Sequence, residues 1–158
     1  MNFVLDMNVM ISAWKGERPD STEDLTSTVL FAEIIRLCSR LVATVEIDKS
    51  YMKKFEALKQ GSRQSPQSLN VINVYTQAKI AGKVDISRTT SSLSCLSDES
   101  GLDDEDIPFA RLASISRSLF VTYEEDMEKF LRTIGVDVAS PTEALDRLRS
   151  IPKLNESK

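Results

Sequence analysis

Short apolar runs alternate along the chain with stretches whose apolar residues recur every three to four positions. Asn2 to Leu5, Leu41 to Thr44, Leu119 to Thr122 and Val136 to Ala139 are the runs, and each predicts a short buried strand. Helical periodicity appears in Ser27 to Leu37, with Val29, Leu30, Ile34 and Leu37 as its stripe, and in Val45 to Lys59, with Ile47, Tyr51, Phe55 and Leu58. Gln67 to Ile80, after a polar segment from Gln60 to Gln64 and a Ser65-Pro66 start signal, and Asp106 to Ser118 read as further helices. Ser140-Pro141-Thr142-Glu143 combines an N-cap, a proline at the first helical position and a capping-box glutamate, which predicts a last helix reaching about Ser150. This alternation predicts a three-layer α/β/α sandwich, a central mostly parallel sheet with helices on both faces. One domain over 1–150 and a C-terminal tail at 151–158 complete the expected organisation.

Ser87 to Glu105 breaks the pattern: rich in Ser, Thr and Asp and without an aromatic residue, it has little to bury and reads as a long loop leading into an acidic cluster. Composition narrows the chemistry. The 158 residues contain no histidine, which removes Ser-His-Asp and Cys-His catalysis and disfavours a nitrogen-ligated metal. Cys38 and Cys95 form no CxxC pair and are expected to be buried thiols. No apolar run approaches a membrane span, and the start MNFVLDMNVM lacks the features of a signal peptide, so the expected location is the cytoplasm and no membrane partner is expected. With 20 Lys and Arg against 24 Asp and Glu, the net charge of −4 gives no general attraction to nucleic acid, and a basic face must be local.

In such a sheet ligands bind beyond the carboxyl ends of the strands, so acids that follow apolar runs carry the interest. Asp6 ends the first run, and Val4-Leu5-Asp6-Met7-Asn8 sets a carboxylate and an amide two residues apart where strand turns into helix. Asp6 could equally cap that helix. Asn8 argues against a haloacid-dehalogenase reading, which wants a second Asp there. The run ending Phe120-Val121-Thr122-Tyr123-Glu124-Glu125-Asp126 brings a second set, in which dipole compensation at a helix start is the competing explanation. Asp106 stands ahead of a stripe of Phe109, Ala110, Leu112 and Ala113, after the acidic run Asp103, Asp104 and Glu105. Carboxylates brought to one sheet edge repel, and oxygen-only ligation suits a hard divalent cation such as Mg²⁺ or Mn²⁺.

Taken together, VLDMNVMISA, the Asp106 helix and LFVTYE resemble the PIN-domain family, metal-dependent ribonucleases that include toxins of toxin–antitoxin pairs. The resemblance implies that Asp6, Asp106 and Glu124 hold the metal, that Asp126 is an outer acid, and that Asn8 and Thr122 orient them by hydrogen bonds. It implies hydrolysis of RNA, with a small antitoxin and a homodimer as the expected partners. Two positions depart from the family pattern. The second acid falls on Ser50, and Glu46, one turn nearer the strand end, is the candidate replacement, with a plain helix-start acid as the competing reading. Glu124 stands where the family has Asp. Lys49, Lys53 and Lys54, with Lys59 and Arg63 beyond, are candidate contacts to RNA backbone or simply a solvated face, and Lys54 could fill the space of the missing acid. The rival function is a PIN-like module that has lost catalysis and binds RNA or protein, and a phospho-receiver domain ranks third.

Overall fold

The computed structural model describes residues 1–37, 39–61 and 66–151, apart from the side chains within 61–70. Cys38, the 62–65 stretch with Arg63, and the tail from Pro152 lie outside the described residues.

The elements run β1 (Asn2–Leu5), α1 (Met7–Lys15), α2 (Thr26–Arg36), β2 (Arg40–Thr44), α3 (Val45–Gly61), α4 (Pro66–Ile80), β3 (Val84–Arg88), α5 (Ile107–Ser116), β4 (Leu119–Val121), α6 (Glu125–Thr133), β5 (Val138–Ala139) and α7 (Pro141–Ser150). The sheet has five parallel strands in the order β3-β2-β1-β4-β5. Chain order runs outward from β1 to β3 and then jumps back to β4, so β1 and β4 are neighbours whose crossovers leave in opposite directions. Parallel crossovers are right-handed. Accordingly α1, α2 and α4 pack together, with α7 against α2, while α5 lies on β1, β2 and β4 and α6 on β5. The three-layer sandwich expected from the alternation is the observed architecture.

One apolar cluster runs from Phe3 to Leu148. Trp14 belongs to it, stacked on Phe55 with centroids 5.2 Å apart, and Tyr51 and Phe55 are buried as their shared stripe predicts. Among the described residues no helix is long and apolar enough to cross a membrane.

Four readings need correction. Ser87 and Arg88, expected to open the long loop to Glu105, instead finish β3, a strand paired with β2. As an edge strand it buries Val84 and leaves alternate residues outside, so it presents no apolar run. The expected strand from Val136 shrinks to Val138–Ala139, because Gly135 turns left-handed and the Val136 N–H closes α6 on the Leu131 carbonyl. The helix from Asp106 stops at Ser116, where Arg117 adopts φ 50°. Cys95 is exposed rather than buried, sitting in the long segment before α5.

Candidate functional site

The β1–β4 register builds the site. Leu5 pairs with Val121, an offset of 116 residues, and the chain continues past each strand in step. Asp6 therefore lies beside Thr122 and Asn8 beside Glu124. Two hydrogen bonds keep that offset: the Thr122 hydroxyl donates to Asp6 Oδ2 at 2.9 Å, and Asn8 Nδ2 donates to Glu124 Oε1 at 3.0 Å. The Thr122 hydroxyl also accepts the Glu124 N–H at 3.1 Å, so one side chain links the backbone of the second acid to the carboxylate of the first. Each strand thus contributes a pair of polar residues two apart, and each pair binds the other.

Asp6, Asp106 and Glu124 are the N-cap residues of α1, α5 and α6, and none of the three side chains makes a capping hydrogen bond. Ser140 does cap α7, accepting from the Glu143 N–H at 3.3 Å, as the capping-box reading expected. Capping was the competing explanation for Asp6, and the geometry removes it. The three carboxylates stand instead at the positive ends of three helices, near enough for the charges of Asp106 and Glu124 to act on Asp6. Asp6 is buried, and burial raises its carboxyl from 3.8 to about 6; the Thr122 hydrogen bond opposes the rise, and the charges of Asp106 and Glu124 add to it. Asp106, half-buried, also rises to about 6, through burial first and then the charges of Glu124, Asp103 and Glu105.

Among the described residues, no hydrogen bond or ion pair joins Glu46, Ser50, Asp126 or the α3 lysines to this trio. Glu46 Oε2 accepts the Thr90 N–H at 2.8 Å and its hydroxyl at 3.1 Å, and these bonds hold its carboxyl below the ordinary range. Thr44 bonds Thr90 through its hydroxyl and caps α3 by accepting the Ile47 N–H at 3.1 Å. Glu46 thereby pins the single 3-10 turn at Thr90–Ser92 that follows β3. Asp48, on the same helix, accepts from the Tyr75 hydroxyl at 2.8 Å and pairs with Lys79 at 2.7 Å. Ser50, Lys49, Lys53 and Lys54 are all exposed on α3. Asp126 is fully exposed on α6, 3.5 Å from Lys129.

Contacts made by Tyr51 and by Tyr123 around the site had no signal in the sequence. The Tyr51 hydroxyl donates to the Leu5 carbonyl, holding α3 to the end of β1 immediately before Asp6. Arg18 lies over the Tyr123 ring, 5.6 Å from its centroid, and the Tyr123 hydroxyl bonds Ser27 at 2.7 Å. Both depend on residues far apart in the chain.

Hard carboxylate oxygens, with no imidazole or thiolate among them, suit Mg²⁺ or Mn²⁺ in kind. Their arrangement is open: among the described residues no group of three or more Asp, Glu, Cys or His side chains is close enough to close around one ion.

Fold and edge together define a three-layer α/β/α sandwich with an acid-bearing switch point. Comparison with protein-family models and with characterised proteins gives no match. Among solved structures, the crystal structure of VapBC2 from Rickettsia felis bound to a DNA fragment from its promoter is similar, with a TM-score of 0.51 over 89% of this chain and 98% of that one, at 11% identity. That similarity is one of fold.

Proposed function

We propose that the chain is a divalent-cation-dependent endoribonuclease of the PIN type, hydrolysing RNA phosphodiester bonds at the edge formed by β1 and β4. The observation that carries this reading is the trio of carboxylates at three helix N-termini, none of them engaged in capping. Asp6, Asp106 and Glu124 would hold Mg²⁺ or Mn²⁺. When bound, the cation supplies activation of water and compensation of charge on the phosphate. Thr122 and Asn8 fix the rotamers of Asp6 and Glu124, so that the acids need little reorganisation. Asp126 stands as an outer acid, Glu46 substitutes for the acid missing at Ser50, and Lys49, Lys53 and Lys54 contact the RNA backbone. The reading extends to a toxin-like role, with a small antitoxin as partner and a homodimer as the working unit; the fold similarity to the VapBC2 structure supports that extension.

A second reading, a PIN-like module that binds RNA or protein without cleaving it, is favoured by Ser50 and by the open arrangement of the acids. Titration calorimetry of Mg²⁺ and Mn²⁺ into the wild type, Asp6→Asn and Glu46→Gln separates the two, run beside cleavage of a labelled RNA. The ribonuclease reading expects binding and cleavage that both vanish in Asp6→Asn, and weaker binding in Glu46→Gln. Unchanged affinity in Glu46→Gln removes Glu46 from the site, and no binding at millimolar metal selects the module.

A further inference from the structure

Beside the acidic trio lies a cavity of about 160 Å³ lined by Asn8, Ser12, Lys15, Glu17, Arg18 and Ser21, with the apolar Ile11 and Pro19 completing its wall. It forms because Gly16 turns left-handed at the end of α1, and the chain folds back on itself through a Glu17–Glu23 bridge and the Ser21 N–H to Arg18 carbonyl bond. Two cations, two hydroxyls and an amide thus face one small space. The cavity is joined to the acids twice. Asn8 lines it and donates to Glu124, and Arg18 lines it while resting on Tyr123, the residue between Thr122 and Glu124.

A space this size is too small for a drug-sized ligand and suits one small group. Among the lining residues Lys15 and Arg18 outnumber Glu17, so an anion is favoured, and Arg18, which also acts on the nearby Asp20 carboxylate, is steadied over the Tyr123 ring and can offer forked bonds to phosphate oxygens. We propose that this cavity holds a backbone phosphate of the RNA strand flanking the phosphate at the acids, so that Lys15 and Arg18 set the strand's position across the β1–β4 edge. The proposal rests on the ribonuclease reading and adds to it the second point at which the strand is held. The hydroxyls of Ser12 and Ser21 and the amide of Asn8 supply neutral donors to the same group. An acidic peptide segment would offer a carboxylate to the same cations, but the continuity with the catalytic acids favours the strand that those acids act on.

The test uses a fluorescein-labelled RNA octamer, with Ca²⁺ in place of Mg²⁺ or Mn²⁺ to suppress hydrolysis by activated water, and follows binding by anisotropy over a range of salt. The wild type, a Lys15→Ala/Arg18→Ala double variant and a control, Arg36→Ala, are compared; Arg36 is an exposed cation at the end of α2 that leads into the start of β2. Lys15 and Arg18 are exposed, so the fold is retained, and thermal melts check it. The expected result is about a tenfold loss of affinity in the double variant, with the salt slope reduced by about 0.7 for one lost phosphate contact on a single strand, and little change in the control. Equal affinity and slope in all three proteins, or equal losses in the double variant and the control, overturn the cavity while leaving the ribonuclease reading standing. A wild type that neither binds the octamer nor cleaves natural RNA overturns both.

Discussion

Asp6 weakens the fold in which it stands. A carboxyl raised from 3.8 to about 6 binds a proton more readily in the folded than in the unfolded chain, so stability falls as pH rises from about 4 to 6. The cost at neutral pH is on the order of 3 kcal/mol. Asp6→Asn keeps the shape and an acceptor for the Thr122 hydroxyl while removing the charge. It should therefore raise the unfolding free energy at pH 7.5 by about 2 kcal/mol, with the gain shrinking toward pH 4 in denaturant titrations. A gain that is the same at both pH values would mean that burial and its acidic neighbours do not govern this carboxyl. Asp6, Asn8 and Glu124 are visible in the sequence because they lie where an apolar run turns into a helix, and Asp106 because it precedes the apolar stripe of α5. The bonds between them were hidden, since they depend on the β1–β4 register. Glu46 was visible as an acid, but its attachment to Thr90, 44 residues away, was not.

At the scale of elements, legibility follows burial. Strands β1, β2 and β4 lie inside the sheet and show as apolar runs, whereas β3, at the edge, shows only as an alternation of Val84 and Ile86 with polar residues. The long segment before α5 looked empty because its anchors are single residues. Leu93 is buried, Glu99 grips Arg111 through two 2.7 Å bonds, and Gly101 sits so close to α6 that an added Cβ would stand 2.5–2.8 Å from three atoms of the Phe130 ring. Arg111 holds the Glu99 carboxyl at about 2, below its ordinary 4.5, so the stability that this pair contributes is fully present above about pH 4.5 and is lost as pH falls toward 2. Arg111→Gln and Gly101→Ala should each speed limited proteolysis between 94 and 105, and cutting at the wild-type rate in both would mean that the segment is held by something else. Capping offers a simpler check on α7: Ser140→Ala removes the acceptor of the Glu143 N–H and should cost about 1 kcal/mol in chemical denaturation, without effect on metal binding.

For the whole molecule, the topology concentrates its instability at one place. The crossovers from β1 and β4 diverge, the crevice between them collects three helix N-termini, and each brings an acid that caps nothing. On the proposed ribonuclease reading, a divalent ion at this edge offsets the repulsion between the acids, so that metal binding and folding are linked. An ion present at about a hundred times its dissociation constant adds roughly 2.7 kcal/mol. For a chain of this length that amounts to a rise in Tm of roughly 5–10 °C. Protons compete for the same oxygens: Asp6 and Asp106 both titrate near pH 6, so the rise should be large at pH 7.5 and small at pH 5. Thermal scans with Mn²⁺ at the two pH values test this, with Asp6→Asn beside the wild type. A rise that persists in Asp6→Asn places the ion elsewhere on the surface, and a wild type indifferent to millimolar Mn²⁺ at pH 7.5 makes the edge a binding surface rather than a hydrolytic one.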